Sequence, residues 1–431
     1  MFSTKIINRF FWKNILVSYG MQICMTSLGF LWVSFITHTA GITTLGYIAL
    51  LNAMGSTLAN VVSFRTNESV IYFYNQGTCK NNNAICLFSL LGGVILDVLM
   101  GLILLSLIWH FSPVLADLFL KDKTKEKEIS QFAFYIIFTF LRGTGLGLLT
   151  ARKSFHLTYI LPVAESIIKI SILAIYYVIY SKIELTNIVN AMVISSLIIT
   201  IIIYPLPFYN IYLILKSHKL KRIHKHLIKE YFKFTLNTFL ATLLKSGSGQ
   251  LDTILLGYLL TPTSVGLFSL FKQFSAPLFH ISTPWGNQVY PYFIEAKANK
   301  SLSLITESIR IGTQKILLLD ILAIPLLTIA FFTYASIMNI NLPFVDKVSF
   351  IIVLTATIFS QLAWWSRSFF LTFNPTLSLY IISASTIITI ITYLTLGNYF
   401  LFTGICTASL ITNIIIYALN IYLKKQILKL N

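Results

Sequence analysis

Charged residues inside apolar stretches are the features of this sequence that could do chemistry. In the first half of the chain they are Asp97, Arg142, Glu165 and Lys169. Ionised side chains are costly at such positions and usually face a protein interior or a water-filled cavity. Glu165 and Lys169 are four residues apart with the acid first, which favours an ion pair on one helix face. Two interpretations stay open: a self-paired quartet that holds helices together, or a carboxylate, Asp97 or Glu165, that takes up a proton or a sodium ion.

The second half of the chain carries a less balanced set of charges. Asp252 precedes Thr261 by nine residues and Lys272 follows it by eleven, so a hairpin that turns at Thr261 predicts an Asp252–Lys272 pair. Lys245 then stays without a partner near the middle of its helix, where an ammonium group must lose its proton or meet an anion. A Lys245 side chain that extends to the membrane surface is the alternative. For Asp320, a structural partner and a coupling site both stay open.

Membrane-spanning helices must position these charges, because the composition excludes other classes of protein. Of 431 residues, 56% are hydrophobic and only 11% are charged, whereas a soluble domain carries roughly a quarter of charged residues. A helix needs about 20 apolar residues to cross a bilayer. The sequence therefore predicts an all-α, polytopic membrane protein with 12 transmembrane helices. The predicted spans are residues 14–37, 43–63, 85–109, 130–149, 158–180, 188–212, 234–258, 264–290, 312–337, 348–371, 375–396 and 399–423.

The net charge of +18 indicates orientation in a membrane rather than nucleic-acid binding. With the N-terminus in the cytoplasm, 22 of the 32 Lys and Arg residues fall in cytoplasmic segments or at the cytoplasmic ends of spans, and 6 fall in outer segments. Short cytoplasmic loops collect Lys and Arg, so we expect both termini in the cytoplasm and no nucleic-acid partner. The lysine-rich segment 121–127 falls on the outer side and is the exception to this pattern.

The sequence also repeats itself at an offset of 220 residues, where Gly46 meets Gly266. Each half holds six predicted spans, and because six is even the two halves insert with the same orientation, as a parallel repeat about a pseudo-two-fold axis. Such duplication is typical of transporters with a pathway between two lobes. The predicted division is an N-terminal lobe at residues 1–213, a basic cytoplasmic linker at 214–233 and a C-terminal lobe at 234–431.

No catalytic or metal-binding pattern stands out in the sequence. Gly143, Gly145 and Gly147 lie in an apolar helix and do not follow a strand, so they do not form a phosphate-binding loop. Cys79 and Cys86 lack the close spacing of a zinc site. The segments between spans are too short for a soluble catalytic domain. We therefore expect no enzymatic activity and no cofactor, apart from H⁺ or Na⁺ as a coupling ion.

Two motifs carry a family resemblance. The first is Phe64–Glu68 (FRTNE) followed by Tyr72–Gly77 (YFYNQG), at the predicted cytoplasmic end of the second span. The second is Asp252 with Leu256–Gly257, followed by Ser264–Phe268 (SVGLF). With these motifs the chain resembles the Wzx family of O-antigen flippases, within the MATE-like superfamily of multidrug, oligosaccharidyl-lipid and polysaccharide exporters (MOP).

The resemblance implies a V-shaped pair of six-helix lobes in the bacterial inner membrane. Spans 1, 2, 7 and 8 would line a central cleft. The substrate would be an O-antigen oligosaccharide on undecaprenyl pyrophosphate, moved from the cytoplasmic to the periplasmic leaflet by alternating access for lipopolysaccharide biosynthesis. Its partners would be the lipid bilayer, this glycolipid and polysaccharide polymerase machinery.

The same resemblance suggests roles for individual residues. Lys245, Asp252 and Lys272 would line the cleft, with Arg65 at its cytoplasmic mouth. We expect the lysines to hold the pyrophosphate. Polar side chains on the lining spans would contact sugars, and the candidates are Gln22, Asn52 and Gln273.

Two alternatives to a flippase stay open. A cation-coupled multidrug exporter would share the fold, but exporters of organic cations tend to place acids in the cleft, where this sequence has two lysines and one aspartate. An integral-membrane O-antigen polymerase would also be apolar and many-spanning. Such polymerases resemble one another in carrying a large periplasmic loop, whereas the predicted outer segments here are short.

Overall fold

The computed structural model describes residues 4–152, 154–216, 226, 228–236, 239, 250–298, 301–373 and 375–430. The described chain is almost entirely helical and contains no strand, which confirms the predicted all-α class. Residues 228–236 form one short helical stretch. The other α-helices are α1 (Thr4–Val62), α2 (Thr66–Cys79), α3 (Asn83–Leu115), α4 (Glu126–Phe140), α5 (Gly143–Ala151), α6 (Phe155–Tyr180), α7 (Leu185–Ile203), α8 (Pro205–Lys216), α9 (Leu251–Leu259), α10 (Pro262–Ala298), α11 (Leu302–Ile337), α12 (Phe344–Leu362), α13 (Ser366–Phe373) and α14 (Pro375–Leu430).

Eight helical segments of the described chain are long and apolar enough to cross a membrane. Two of them contain a break. Gly41 in α1 has φ 83° and ψ 170°, a conformation that glycine adopts without steric cost, and Leu401 in α14 has φ 51° and ψ −128°. These breaks fall at or next to the predicted loops after residues 37 and 396, so α1 and α14 each hold two consecutive predicted spans. The polytopic membrane fold predicted from the sequence is therefore observed.

The chain forms two compact units, one of residues 39–250 and one of residues 1–38 together with 251–431. These units group residues that pack together in this structure. The lobes 1–213 and 234–431 are predicted on a different basis, the repeat in the sequence. The repeat-based lobes stay a prediction. Ten of the twenty residues of the predicted linker 214–233 lie outside the described residues.

Close packing in the 39–250 unit depends on glycines of α5. A β-carbon on Gly147 would lie 2.8 Å from the carbonyl oxygen of Asn67 and 2.9 Å from its Cα, which is closer than a real side chain allows. The absence of a side chain at Gly147 therefore lets α5 approach the backbone of α2. These glycines serve helix packing, as expected for an apolar helix rather than a phosphate loop.

The lysine-rich segment that opposed the topology prediction is bound to acidic residues. Lys123 Nζ lies 3.5 Å from Asp117 Oδ2, and Lys125 Nζ lies 3.7 Å from Glu128 Oε1. Asp122 accepts hydrogen bonds from the Thr124 hydroxyl at 2.6 Å and from the Thr124 amide at 3.0 Å. These bonds, with the nearby Lys125 charge, hold the pKa of Asp122 below its usual value. Part of the positive charge of this segment is thus balanced locally.

Aromatic residues form the core of the other unit. Phe331 of α11 stacks on Phe350 of α12, with ring centroids 4.0 Å apart. Phe271 of α10 meets both rings edge-on at 5.3 Å. This cluster fixes α10, α11 and α12 against one another near the α11–α12 turn.

Candidate functional site

A polar cavity of about 380 Å³ opens between α1 and α4 within the 39–250 unit. From α1 it is lined by Asn52, Ser56 and Asn60, which recur every fourth residue and therefore share one helix face. A β-carbon on Gly55 would lie 2.7 Å from Ile136 Cδ1 and 2.8 Å from a ring carbon of Phe132. Gly55 thus allows α1 and α4 to touch at the apolar side of the polar stripe. The other lining residues are Ala59, Phe132, Tyr135, Ile136, Thr139 and Gln250.

The described residues that line this cavity are polar or apolar, and none of them is charged. Its amide side chains, from Asn52, Asn60 and Gln250, each offer both a hydrogen-bond donor and an acceptor, and its hydroxyl groups do the same. The ring of Tyr135 adds an apolar face beside these groups. Such a lining can hydrogen-bond a neutral polyhydroxyl ligand in many orientations. It offers no counter-ion for a cationic one.

Arg142, at the start of α5, and Glu165, on α6, form a largely buried ion pair. Arg142 Nη1 lies 2.6 Å from Glu165 Oε2, and Nη2 lies 3.2 Å from Oε1, so the contact is bidentate. Arg142 Nε donates to Thr200 Oγ1 at 3.0 Å and Nη2 to the Ser196 carbonyl at 3.0 Å. Arg142 therefore joins the start of α5 to α6 and α7. Lys169, the fourth member of the predicted quartet, follows Glu165 by one turn on α6.

Asp97 is bonded to threonines rather than to a cation. Its side chain is 1% exposed and accepts from Thr66 Oγ1 at 2.5 Å, from Thr144 Oγ1 at 2.7 Å and from the Thr144 amide at 2.8 Å. These three bonds hold α2, α3 and α5 together. The structure therefore contains the Arg142–Glu165 pair, with Asp97 in a separate hydrogen-bonded centre. A coupling role for any of these residues stays a prediction.

Asp252 and Lys272 meet across the α9–α10 hairpin. Lys272 Nζ lies 2.5 Å from Asp252 Oδ2, and the side chains are 38% and 19% exposed. The same ammonium group lies 3.4 Å from Thr253 Oγ1 and 5.4 Å from the centroid of the Phe268 ring. The ammonium group is thus held by one carboxylate and one ring, with part of its surface open. Lys245, predicted to lie near this pair, is outside the described residues.

Two of the three candidate sugar contacts, Gln22 and Gln273, lie where α1 packs against α10. Both belong to the unit formed by residues 1–38 and 251–431. A β-carbon on Gly29 would lie 2.8 Å from Gln273 Nε2, and the Gln22 carbonyl accepts from Thr26 Oγ1 at 2.8 Å. Thr26 Oγ1 also lies 2.6 Å from His280 Nε2. The third candidate, Asn52, is part of the α1–α4 cavity.

Arg65 begins α2 in a left-handed conformation, with φ 50° and ψ 47°. Its Nη1 lies 3.6 Å from Glu68 Oε1, and its side chain is about one-third exposed. An open groove of about 480 Å³ lies along α2, next to Arg65. It is lined by Glu68, Ile71, Tyr72, Asn75, Gln76 and Cys79. The FRTNE motif also has a structural role, because its Thr66 bonds to Asp97.

Sequence reasoning missed most of the cavity and the partners of Asp97. The spacing of Asn52, Ser56 and Asn60 within an apolar span was a usable signal, since three polar residues on one face of such a helix need an environment other than lipid. No comparable signal marks Thr66 or Thr144, because threonine is common in apolar helices and can bond to its own backbone.

The architecture is that of a known class of membrane transporters. The structure resembles an inward-facing multidrug resistance MATE family transporter of the MOP superfamily, with a TM-score of 0.68 and 12% identity over 96% of this chain and 98% of that one. It also resembles the lipid II flippase MurJ in an inward closed conformation, with a TM-score of 0.66 and 14% identity over 95% of this chain and 87% of that one. At these identities the likeness shows the fold, which is the MATE-like fold expected from the sequence.

The sequence itself identifies the family. A model of the polysaccharide biosynthesis protein family matches residues 11–297, well over half of the chain. The chain belongs to this family, and the resemblance seen in its motifs is confirmed at that level. No curated protein matches the sequence.

Proposed function

We propose that this protein is a flippase for a lipid-linked oligosaccharide, and specifically for an O-antigen repeat unit on undecaprenyl pyrophosphate. It moves this substrate from the cytoplasmic to the periplasmic leaflet of the bacterial inner membrane by alternating access. The observation that carries the proposal is the set of amide, hydroxyl and aromatic side chains that the described residues contribute to the α1–α4 cavity in a member of the polysaccharide biosynthesis protein family. MurJ, which shares the fold, is itself named a lipid II flippase.

The polar side chains of the cavity lower the free-energy cost of taking a sugar out of water as it crosses the membrane. Each hydroxyl or amide group that leaves water without a partner costs several kcal/mol. Asn52, Asn60 and Gln250 provide donors and acceptors that replace water at such groups, while the lipid tail stays in the bilayer. Tyr135 can pack its ring against the C–H face of a sugar.

The pyrophosphate needs a cationic partner, and the described chain offers Lys272 and Arg65. Lys272 is held by Asp252 yet 38% exposed, so an incoming phosphate can compete for its ammonium group. Arg65 is likewise exposed in part, and its Nη1 lies 3.6 Å from Glu68 Oε1. Each of these two residues, within its own unit, is a proposed phosphate partner, and Lys245 remains the partner proposed from the sequence alone.

A multidrug exporter of organic cations is supported less well. A carboxylate or an aromatic cage stabilises a bound organic cation, and no carboxylate is present among the described residues that line the α1–α4 cavity. Asp97 is bound by three donors, and Asp252 is neutralised by Lys272.

The proposed orientation follows the distribution of Lys and Arg in the sequence, with both termini in the cytoplasm. In this orientation the substrate is collected where glycolipids are assembled and released where a polysaccharide polymerase would use it. That polymerase is the partner we propose.

Translocation of a lipid-linked oligosaccharide by the purified protein in vesicles tests the proposal. The fraction of sugar oxidised by external, membrane-impermeant periodate reports how much substrate reaches the outer leaflet. We expect faster exposure than in protein-free vesicles, and loss of this acceleration in Asn52→Ala but not in Asn187→Ala, which removes an amide from α7 outside the cavity. Efflux of organic cations without glycolipid movement would contradict the proposal and favour the exporter.

The O-antigen assignment has its own test. Deletion of the gene should remove O-antigen from the cell surface, and the wild-type gene should restore it. Intact O-antigen after deletion would contradict this assignment even if the purified protein moves another glycolipid.

A further inference from the structure

Asp320, in the middle of α11, is buried and forms no ion pair with any cation of the described residues. Its side chain is 0% exposed, and neither carboxyl oxygen has a hydrogen-bond partner among the described residues. The neighbouring Leu318, Ile321 and Leu322 are all more than half exposed, at 63%, 55% and 62%. Asp320 therefore lies on the inner face of a helix whose other faces point away from the core.

Gln361 of α12 is the second buried polar group without a partner in this region. It is 2% exposed, and both its amide nitrogen and its amide oxygen lack hydrogen-bond partners in the described structure. Four polar atoms on two packed helices are thus left unbonded. Buried polar groups are nearly always bonded, so such a set calls for an explanation.

The stacked pair Phe331–Phe350 places Asp320 and Gln361 at the same depth. Asp320 precedes Phe331 by eleven residues on α11, and Gln361 follows Phe350 by eleven residues on the antiparallel α12. Eleven residues are about three helical turns, so each residue lies on the same face as its phenylalanine and about 16 Å along the helix from it. The two side chains are therefore on facing surfaces of α11 and α12.

The other end of the α11–α12 packing supports this register. The indole nitrogen of Trp364, two residues beyond the end of α12, donates to Thr313 Oγ1 at 3.2 Å, and a β-carbon on Gly312 would overlap the Trp364 ring. Contacts of α11 with α12 and with the turn that follows it thus occur on both sides of the Asp320 level.

Apart from Asp320, each titratable side chain described on α10, α11 and α12 is exposed, bonded elsewhere or distant. Tyr334 lies about 21 Å along α11 from Asp320. Lys272 is bonded to Asp252 and His280 to Thr26. Asp346 lies in the first turn of α12, about 20 Å along the helix from Gln361. The exposed ones are Lys297 on α10, Glu307, Arg310 and Lys315 on α11, and Lys347 on α12.

We propose that Asp320 is a proton-binding site, with Gln361 as its polar neighbour. An ionised carboxylate at this fully buried position would have no described donor or cation to stabilise it, whereas the protonated acid is neutral. A carboxylic acid and a primary amide are also complementary, since each offers one donor and one acceptor to the other. Release of the proton requires water to reach Asp320, and hence α11 and α12 to separate. Protonation thus favours the packed arrangement of this unit, independently of which substrate the protein carries.

Infrared spectroscopy of the full-length protein in lipid nanodiscs tests the site directly. At neutral pH we expect the carbonyl stretch of one protonated carboxylic acid to be present in the wild type and absent in Asp320→Asn. Glu307→Gln removes an exposed carboxylate from the same helix and should leave this band in place. Identical carbonyl bands in the wild type and Asp320→Asn would overturn the proposal.

A second variant keeps the carboxyl group. Gln361→Leu should retain the band but shift its frequency, because the acid loses its amide neighbour. An unshifted band would overturn the pairing with Gln361.

Thermal unfolding at several pH values provides an independent measurement. The wild type and Asp320→Asn should melt alike at acidic pH, and the wild type should melt at progressively lower temperature than the variant as the pH rises. Parallel pH curves would overturn the proposal. So would a rise in melting temperature with sodium at constant pH that requires Asp320, because it would identify the ligand as a metal ion.

Discussion

Lys272 Nζ lies 2.5 Å from Asp252 Oδ2, which ties α9 to α10 through one partly exposed ion pair. The pair can act as a structural clamp or as a cation held ready for a phosphate. The two roles differ in what happens when both charges are removed together.

We predict that Lys272→Ala lowers glycolipid transport by about tenfold, which corresponds to ~1.4 kcal/mol in the transport barrier. Asp252→Asn should reduce transport less, because Lys272 remains available. The double variant Lys272→Ala/Asp252→Asn should be as impaired as Lys272→Ala, since the phosphate partner is missing in both. Initial rates of headgroup exposure in vesicles measure this, and full recovery in the double variant would show that Lys272 only neutralises Asp252.

The Arg142–Glu165 pair should contribute to stability rather than to transport. Arg142→Ala leaves Glu165 buried without its partner, and breaking a buried pair in this way costs about 3–5 kcal/mol. Replacing the three neighbouring charges by apolar residues, as in Arg142→Met/Glu165→Leu/Lys169→Met, should cost clearly less because no charge of this group is left without its partner. Denaturant unfolding in detergent measures the difference. Equal losses in the single and triple variants would contradict this account.

The Asp97 centre gives a graded prediction. Asp97→Asn replaces one acceptor oxygen by an NH₂ group that faces donors of Thr144 or Thr66, so at least one buried donor loses its acceptor at a cost of about 1–3 kcal/mol. Thr144→Val removes a single hydroxyl and keeps the backbone amide bond, so it should cost about 1 kcal/mol. Thermal or denaturant unfolding of the two variants ranks them. A Thr144→Val variant less stable than Asp97→Asn would argue against this hydrogen-bond arrangement.

The Asp252–Lys272 pair could be predicted from the sequence, whereas the threonine partners of Asp97 could not. The proximity of Asp252 and Lys272 follows from their positions around one turn, because two adjacent helices in a hairpin have a register that can be counted. The threonines that surround Asp97 come from α2 and α5, and their approach depends on tertiary packing that no local spacing encodes.

The all-α membrane class was predictable for a different reason. It depends on the length and apolarity of segments, which are properties of the composition, and the breaks at Gly41 and Leu401 fall at or next to the predicted loops. The α1–α4 cavity was predictable only in part. Asn52 was a candidate from its polarity alone, but the face of α4 that completes the lining, with Tyr135 and Thr139, becomes apparent only once the two helices are packed.

The α1–α4 cavity yields the most direct functional prediction, because polarity and shape can be changed separately. Asn60→Ala removes one amide from the lining and should slow glycolipid transport several-fold with little change in unfolding. Gly55→Ala adds a methyl group that would meet Ile136 and Phe132 at 2.7–2.8 Å, so it should destabilise the protein by about 1–3 kcal/mol through overpacking. It should also push α4 away from α1 and alter the cavity. Parallel transport and unfolding measurements separate the two effects. If Asn60→Ala transports at the wild-type rate while Gly55→Ala loses transport in proportion to its stability, the cavity does not bind the sugar.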